Sequence, residues 1–99
     1  MAQANSVTAE PSHKFWLGQF YITEQARSQI GYEDALIALG RHHNGDWGDV
    51  CAQDREANES ALADGGRLFS VYHAKNGVKF WIITEANRNT TTVLMPEDY

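Results

Sequence analysis

Gly66-Arg67-Leu68-Phe69-Ser70-Val71-Tyr72-His73-Ala74-Lys75-Asn76-Gly77-Val78-Lys79-Phe80-Trp81-Ile82-Ile83-Thr84-Glu85 decides the fold. Two runs rich in aromatic and β-branched residues flank Asn76-Gly77, a dipeptide that suits a two-residue type I′ turn. A third run, Thr90 to Met95, returns after a polar loop. The expectation is a C-terminal three-stranded antiparallel meander. A two-residue loop sets Val71 opposite Ile82, His73 opposite Phe80 and Phe69 opposite Thr84. One face then carries Phe69, Val71, His73, Phe80, Ile82 and Thr84, and is the better core. The other carries Tyr72, Lys79, Trp81 and Glu85, a half-polar aromatic surface suited to a partner.

Working outward, Phe15 to Ile22 reads as a first strand, with Gly18 marking a bulge or a close backbone approach. Thr23 is an N-cap for a short helix ending at Gly31. A second helix, Tyr32 to His42, places Ala35, Leu36 and Leu39 on an apolar stripe. Arg41 to Asp49 is a loop, and Asp49 caps a third helix, Val50 to Ala63. Asn58 is disfavoured inside a helix unless its amide ties that helix to the loop or the sheet. The order β-α-α-α-β-β-β describes an α+β domain over residues 14–99, three short helices on one face of an antiparallel sheet. The first strand is expected beside the last, and residues 1–13 as a disordered or loosely attached tail.

The 99 residues suffice for one hydrophobic core. The net charge of −5 is unevenly spread: residues 31–65 hold eight acidic against two basic residues, whereas residues 66–99 hold three against four. An acidic helical segment repels a phosphate backbone, so nucleic acid is admissible only at the sheet face. A single cysteine, Cys51, allows neither an intrachain disulfide nor a cysteine-rich zinc site. Nothing reads as a signal peptide, a membrane span or a cofactor motif, and the expected setting is the cytoplasm.

Arg41-His42 followed by Gly45-Asp46-Trp47-Gly48, then Asp54, Asn58, Gly66-Arg67, Ser70-Val71-Tyr72, Trp81 to Ala86, Arg88, Thr91-Thr92-Val93-Leu94 and Pro96-Glu97-Asp98-Tyr99, form a specific string. It resembles a family of short, uncharacterised bacterial proteins carried on plasmids and other mobile elements, labelled plasmid-related protein or type I restriction subunit. A methylating subunit needs an Asn-Pro-Pro-aromatic motif, which this chain lacks, so the resemblance implies relatives and a mobile-element setting but no activity. Helices followed by a meander with a Thr-rich last strand also resemble the small ribonuclease fold of barnase- and RelE-type toxins.

Three functions of different class follow. The first is a binding or interaction module, such as an inhibitor of a host defence system, that uses a protein partner or self-association. Its binding residues would be Asp46, Trp47, Tyr72, Trp81 and Arg88. The second is an endoribonuclease with Glu85 as base, Tyr72 as acid, and Arg88 with Lys79 clamping the phosphate. The third is a small-molecule binder with a pocket between helices and sheet. The structural alternatives are concrete. Asp46-Trp47 would lock the loop, Glu85 and Arg88 would pair within a turn, and Tyr72 with Trp81 would lie under the first strand. His42, His43, Asp46 and Asp49 offer metal-binding groups, but adjacent histidines diverge by about 100° on a helix, so no metal is assigned.

Overall fold

The computed structural model describes residues 13–99, and the expected N-terminal tail falls almost wholly outside them. Strand β1 (Gln19–Ile22) begins where Gly18 lets the chain press against the backbone of Asn89. A Cβ there would sit 2.3 Å from the Asn89 carbonyl, so the close approach expected at Gly18 is real. The Thr23 hydroxyl accepts the Ala26 N–H and starts α1 (Glu24–His43). Helix α2 (Ala52–Asp64) follows, and then β2 (Leu68–His73), β3 (Lys79–Thr84) and β4 (Thr90–Leu94). A single 3₁₀ turn, Pro96–Asp98, ends the chain.

The sheet order is β1-β4-β3-β2. β2 pairs antiparallel with β3 and β3 with β4, while β1 lies parallel beside β4, on the side expected for it. The expectation of three short helices on one face of an antiparallel sheet, in the order β-α-α-α-β-β-β, is therefore corrected to two helical elements and a four-stranded mixed sheet. The α+β class stands. Within α1, Gly31 at φ 80° and ψ 167° is non-helical and separates two helical segments joined across a kink, at the residue where the first short helix was expected to end. The third expected helix starts later than Val50, with Cys51 at the N-cap. Asp49 instead reaches back to His73.

The hairpin register is also corrected. Ala74 donates to Val78 (2.9 Å) and Gly77 takes φ 88°, so the loop is the three residues Lys75-Asn76-Gly77. One extra loop residue slips the register by one and turns every β2 side chain over. Val71 faces Trp81, Tyr72 faces Phe80 and His73 faces Lys79. The turn is pinned to α1: Asp34 accepts the Lys75 N–H, and the Asn76 amide donates to the Gln29 carbonyl.

One sheet face carries Tyr72, Ala74, Phe80, Ile82, Val93 and Met95, and packs against Ala26, Ile30, Ala35 and Ala38 of α1. Small helix residues let α1 lie close to large sheet residues. Leu36, expected on that stripe, is exposed instead. A second cluster, Trp47, Val50, Ala61, Leu68 and Val71, fills the gap between α2 and the edge of β2. That edge is closed by main-chain mimicry. Val71 donates to the Trp47 carbonyl and accepts from Asp49, and the Asn58 side chain takes both polar groups of Phe69.

Candidate functional site

The face turned away from α1 carries half-buried Phe69 and Trp81 over buried Ile83, and two devices build walls around them. Asn58 fastens α2 to β2, which sets Asp54, one turn earlier, and Ala57 along one side. The Asp98 carboxylate accepts from the Thr23 hydroxyl and, secondarily, from the Met95 N–H, which holds its carboxyl below the usual range and positions Tyr99 over the other side. The result is a groove of about 330 Å³, lined by Asp54, Ala57, Asn58, Arg67, Phe69, Trp81, Ile83 and Tyr99.

Its floor is an aromatic row. Phe69 meets Trp81 edge to face at 5.0 Å, and Trp81 meets Tyr99 at 5.8 Å. The Arg67 guanidinium stands 5.4 Å from the Tyr99 ring centre. Ile83 is buried beneath the row, Phe69 and Trp81 are half-buried, and Tyr99 is 67% exposed. Rings fixed by edge contacts yet open on one side can accept an apolar group with little rearrangement.

Trp81 is the member of the expected binding set that lies in this groove. Tyr72 is on the opposite face, buried, where its hydroxyl donates to the Asp46 carbonyl (2.6 Å) and burial pushes the phenol up. The expected Tyr72 and Trp81 neighbours are therefore separated by the sheet, a consequence of the register. Trp47 is 1% exposed and donates from its indole nitrogen to Glu59 (2.8 Å). The Asp46 carboxylate accepts from Arg41 (2.8 Å) and from the Gly48 N–H, and the Arg41 bond holds its carboxyl low. Both act as the loop lock.

Arg88 is likewise engaged. From a left-handed backbone (φ 61°) its guanidinium donates to the carbonyls of Gly66, Glu85 and Ala86 and, at the end of α2, Ala61. It joins the β3–β4 turn to α2 through main-chain oxygens, and the Glu85 carbonyl, not its carboxylate, is the partner. Lys79 is exposed on the groove face and Glu85 is exposed at the turn. The structure thus does not bring Glu85, Arg88, Tyr72 and Lys79 onto one substrate.

The metal-type residues also disperse: Asp46 joins Arg41, Asp49 joins His73, and His42 is buried. His42 anchors a chain of hydrogen bonds that sequence reading missed. The Thr91 hydroxyl donates to the Leu17 carbonyl (2.6 Å). Thr84 must then donate to Thr91 (2.7 Å), His42 Nε2–H to Thr84 (2.9 Å), and Ser70 to His42 Nδ1 (2.6 Å). Burial, with lesser contributions from His43 and Arg88, holds the imidazole neutral and its pKa at about 3. The signal available in sequence was the alternation of Ser70, Thr84 and Thr91 with apolar residues on strands facing a helix that ends in His42-His43.

No helix among the described residues is long and apolar enough to cross a membrane. Comparison with protein-family models, curated proteins and solved structures finds no match.

Proposed function

We propose that this chain is a protein-binding module whose groove on the open sheet face receives an apolar side chain of a partner polypeptide. The observation that supports it is the Phe69–Trp81–Tyr99 row, joined edge to face over buried Ile83 and left open above. The α2 side of the groove supplies Asp54, on a helix that also carries Glu56, Glu59 and Asp64 against Arg55, while Arg67 lines the groove beside Tyr99. The matching segment therefore carries Lys or Arg toward α2 beside its apolar anchor. Such a module works in the cytoplasm. The resemblance to short plasmid-borne proteins suggests a mobile-element role, such as inhibition of a host defence enzyme.

Selection of peptides from a displayed random library on the full chain tests this. Enrichment of segments pairing an aromatic or aliphatic residue with basic neighbours, lost on a folded Trp81→Ala variant, is the expected outcome. No enrichment, or enrichment unchanged by Trp81→Ala, would remove the groove from the function.

A further inference from the structure

The two edges of the sheet are finished differently. The β2 edge is occupied by Trp47 to Asp49 and by Asn58, whereas among the described residues no strand or side-chain mimic lies along the outer edge of β1. Gln19 donates inward to the Asn89 carbonyl and Thr23 donates inward to the Val93 carbonyl. Strand alternation then turns the N–H and C=O of Phe20 and Ile22 outward. Gln19-Phe20-Tyr21-Ile22 carries no charge, no proline and no bulge, the devices by which natural edges avoid pairing.

We infer that the outer edge of β1 is an interface with a second copy of this chain, the two strands pairing antiparallel about a two-fold axis at Tyr21. The inference is independent of the groove. With the axis there, Phe20 of each copy faces Ile22 of the other, and all four outward groups on each strand find partners, in four hydrogen bonds across the pair. An uncharged strand meeting its own copy brings no like charges together.

The flank of α1 on that side is suited to the same axis. Asp34 and Arg41 face the hairpin side, bonded to the Lys75 amide and stacked over Tyr72. Tyr32, Leu36, Leu39 and His43 follow helical spacing on the other flank, where His43 contacts the Phe15 carbonyl in the segment leading into β1. A two-fold normal to a continuous sheet keeps both α1 helices on one side, so these flanks meet. Trp16, Tyr21, Tyr32 and Leu36 are 77%, 50%, 57% and 54% exposed. With aromatic side chains covering about 150–250 Å² each, they offer on the order of 500 Å². A standard interface takes roughly 800 Å² per partner, and the edge backbone with half-buried Phe20, Ile22 and Leu39 supplies the rest.

Light scattering of the full chain after size exclusion tests the inference. The expected mass is twice 11.1 kDa. Tyr21 points away from the α1 core and its N–H faces β4, so Tyr21→Lys leaves the fold intact while opposing two ammonium groups at the axis. It is expected to give a monomer with an unchanged circular dichroism spectrum. An equimolar mixture with Tyr21→Glu is expected to restore the dimer. Leu36→Lys, on the exposed helix flank, is a second disruptor. Amide exchange should show Phe20 and Ile22 protected in the wild type and unprotected in the monomeric variants. A wild-type monomer at the highest soluble concentration, a dimer that survives Tyr21→Lys, or folded Lys and Glu variants that do not recombine would each overturn the proposal.

Discussion

The side-chain amide of Asn58 is hydrogen-bonded to Phe69 as a neighbouring strand would be: its nitrogen donates to the Phe69 carbonyl at 2.7 Å and its oxygen accepts the Phe69 N–H at 3.0 Å. A helix residue thereby completes a sheet edge. Asn58 is 2% exposed, so Asn58→Ala leaves two main-chain groups unpaired beside an apolar cluster. The expected loss is about 2–3 kcal/mol of unfolding free energy, measured by urea titration. Asn58→Leu should recover none of it, since volume without the amide cannot serve the edge. A loss below about 0.5 kcal/mol would count against the role.

His42 makes stability depend on pH in a definite direction. Its folded pKa, about 3, lies below the ordinary histidine value, so the folded state prefers the neutral ring. The contribution is complete above about pH 6.5 and falls as pH drops toward 3, because the unfolded chain binds a proton that the folded chain refuses. The expected slope from this group is about 1.4 kcal/mol per pH unit within that window. His42→Gln removes the titrating group, so the difference between its stability profile and that of the wild type isolates the effect from carboxylates such as Asp46 and Asp98, whose lowered pKa values act in the same direction at lower pH. Parallel profiles would contradict the assignment.

The fork of Arg88 cannot be reproduced by a point charge. Arg88→Lys keeps the charge but loses simultaneous contact with the Ala61 and Gly66 carbonyls. An expected destabilisation of about 2 kcal/mol follows, visible as a lower urea midpoint. Arg88→Gly relieves the φ of 61° yet should not be more stable than the wild type, which separates the lost fork from backbone strain.

Two glycines with similar backbone angles should respond differently to alanine. At Gly48, φ 74°, a Cβ would lie 2.0 Å from the Val71 carbonyl, whereas at Gly77, φ 88°, it meets nothing within 4 Å. Gly77→Ala should cost about 1 kcal/mol from conformation alone. Gly48→Ala must also push the loop off β2, with a loss on the order of 3 kcal/mol or more and loss of exchange protection at Asp49 and Val71. Equal effects at the two positions would show that the loop yields easily.

Much of this architecture was legible residue by residue. Thr23, Gly18 and the β-branched runs announced their elements because each acts locally. Asn58 stood out because a helix interior disfavours it without a partner. The hairpin was misread by one residue, since Asn76-Gly77 fits both a two-residue loop and the last two positions of a three-residue one. That ambiguity decided the fate of Tyr72. Placed beside Trp81 it formed a surface pair, whereas in the observed register it is a core residue bonded to the Asp46 carbonyl. Arg88 is expected on a ligand or paired with Glu85, because the carbonyl partners it takes instead have no sequence signature. The groove itself escaped notice because Tyr99 and Arg67 reach it through tertiary placement by Asp98 and α2.

The directed chain from Ser70 through His42, Thr84 and Thr91 to the Leu17 carbonyl touches β2, α1, β3, β4 and the segment before β1. Every donor in it has one acceptor, and each acceptor belongs to a different part of the chain. A partly assembled molecule that lacks one of these parts leaves a donor or acceptor facing an apolar interior, at about 1–3 kcal/mol. The chain therefore penalises incomplete structures more than it strengthens the complete one. Its effect is cooperativity: it removes half-folded states from the populated ensemble and sharpens unfolding toward a single all-or-none transition.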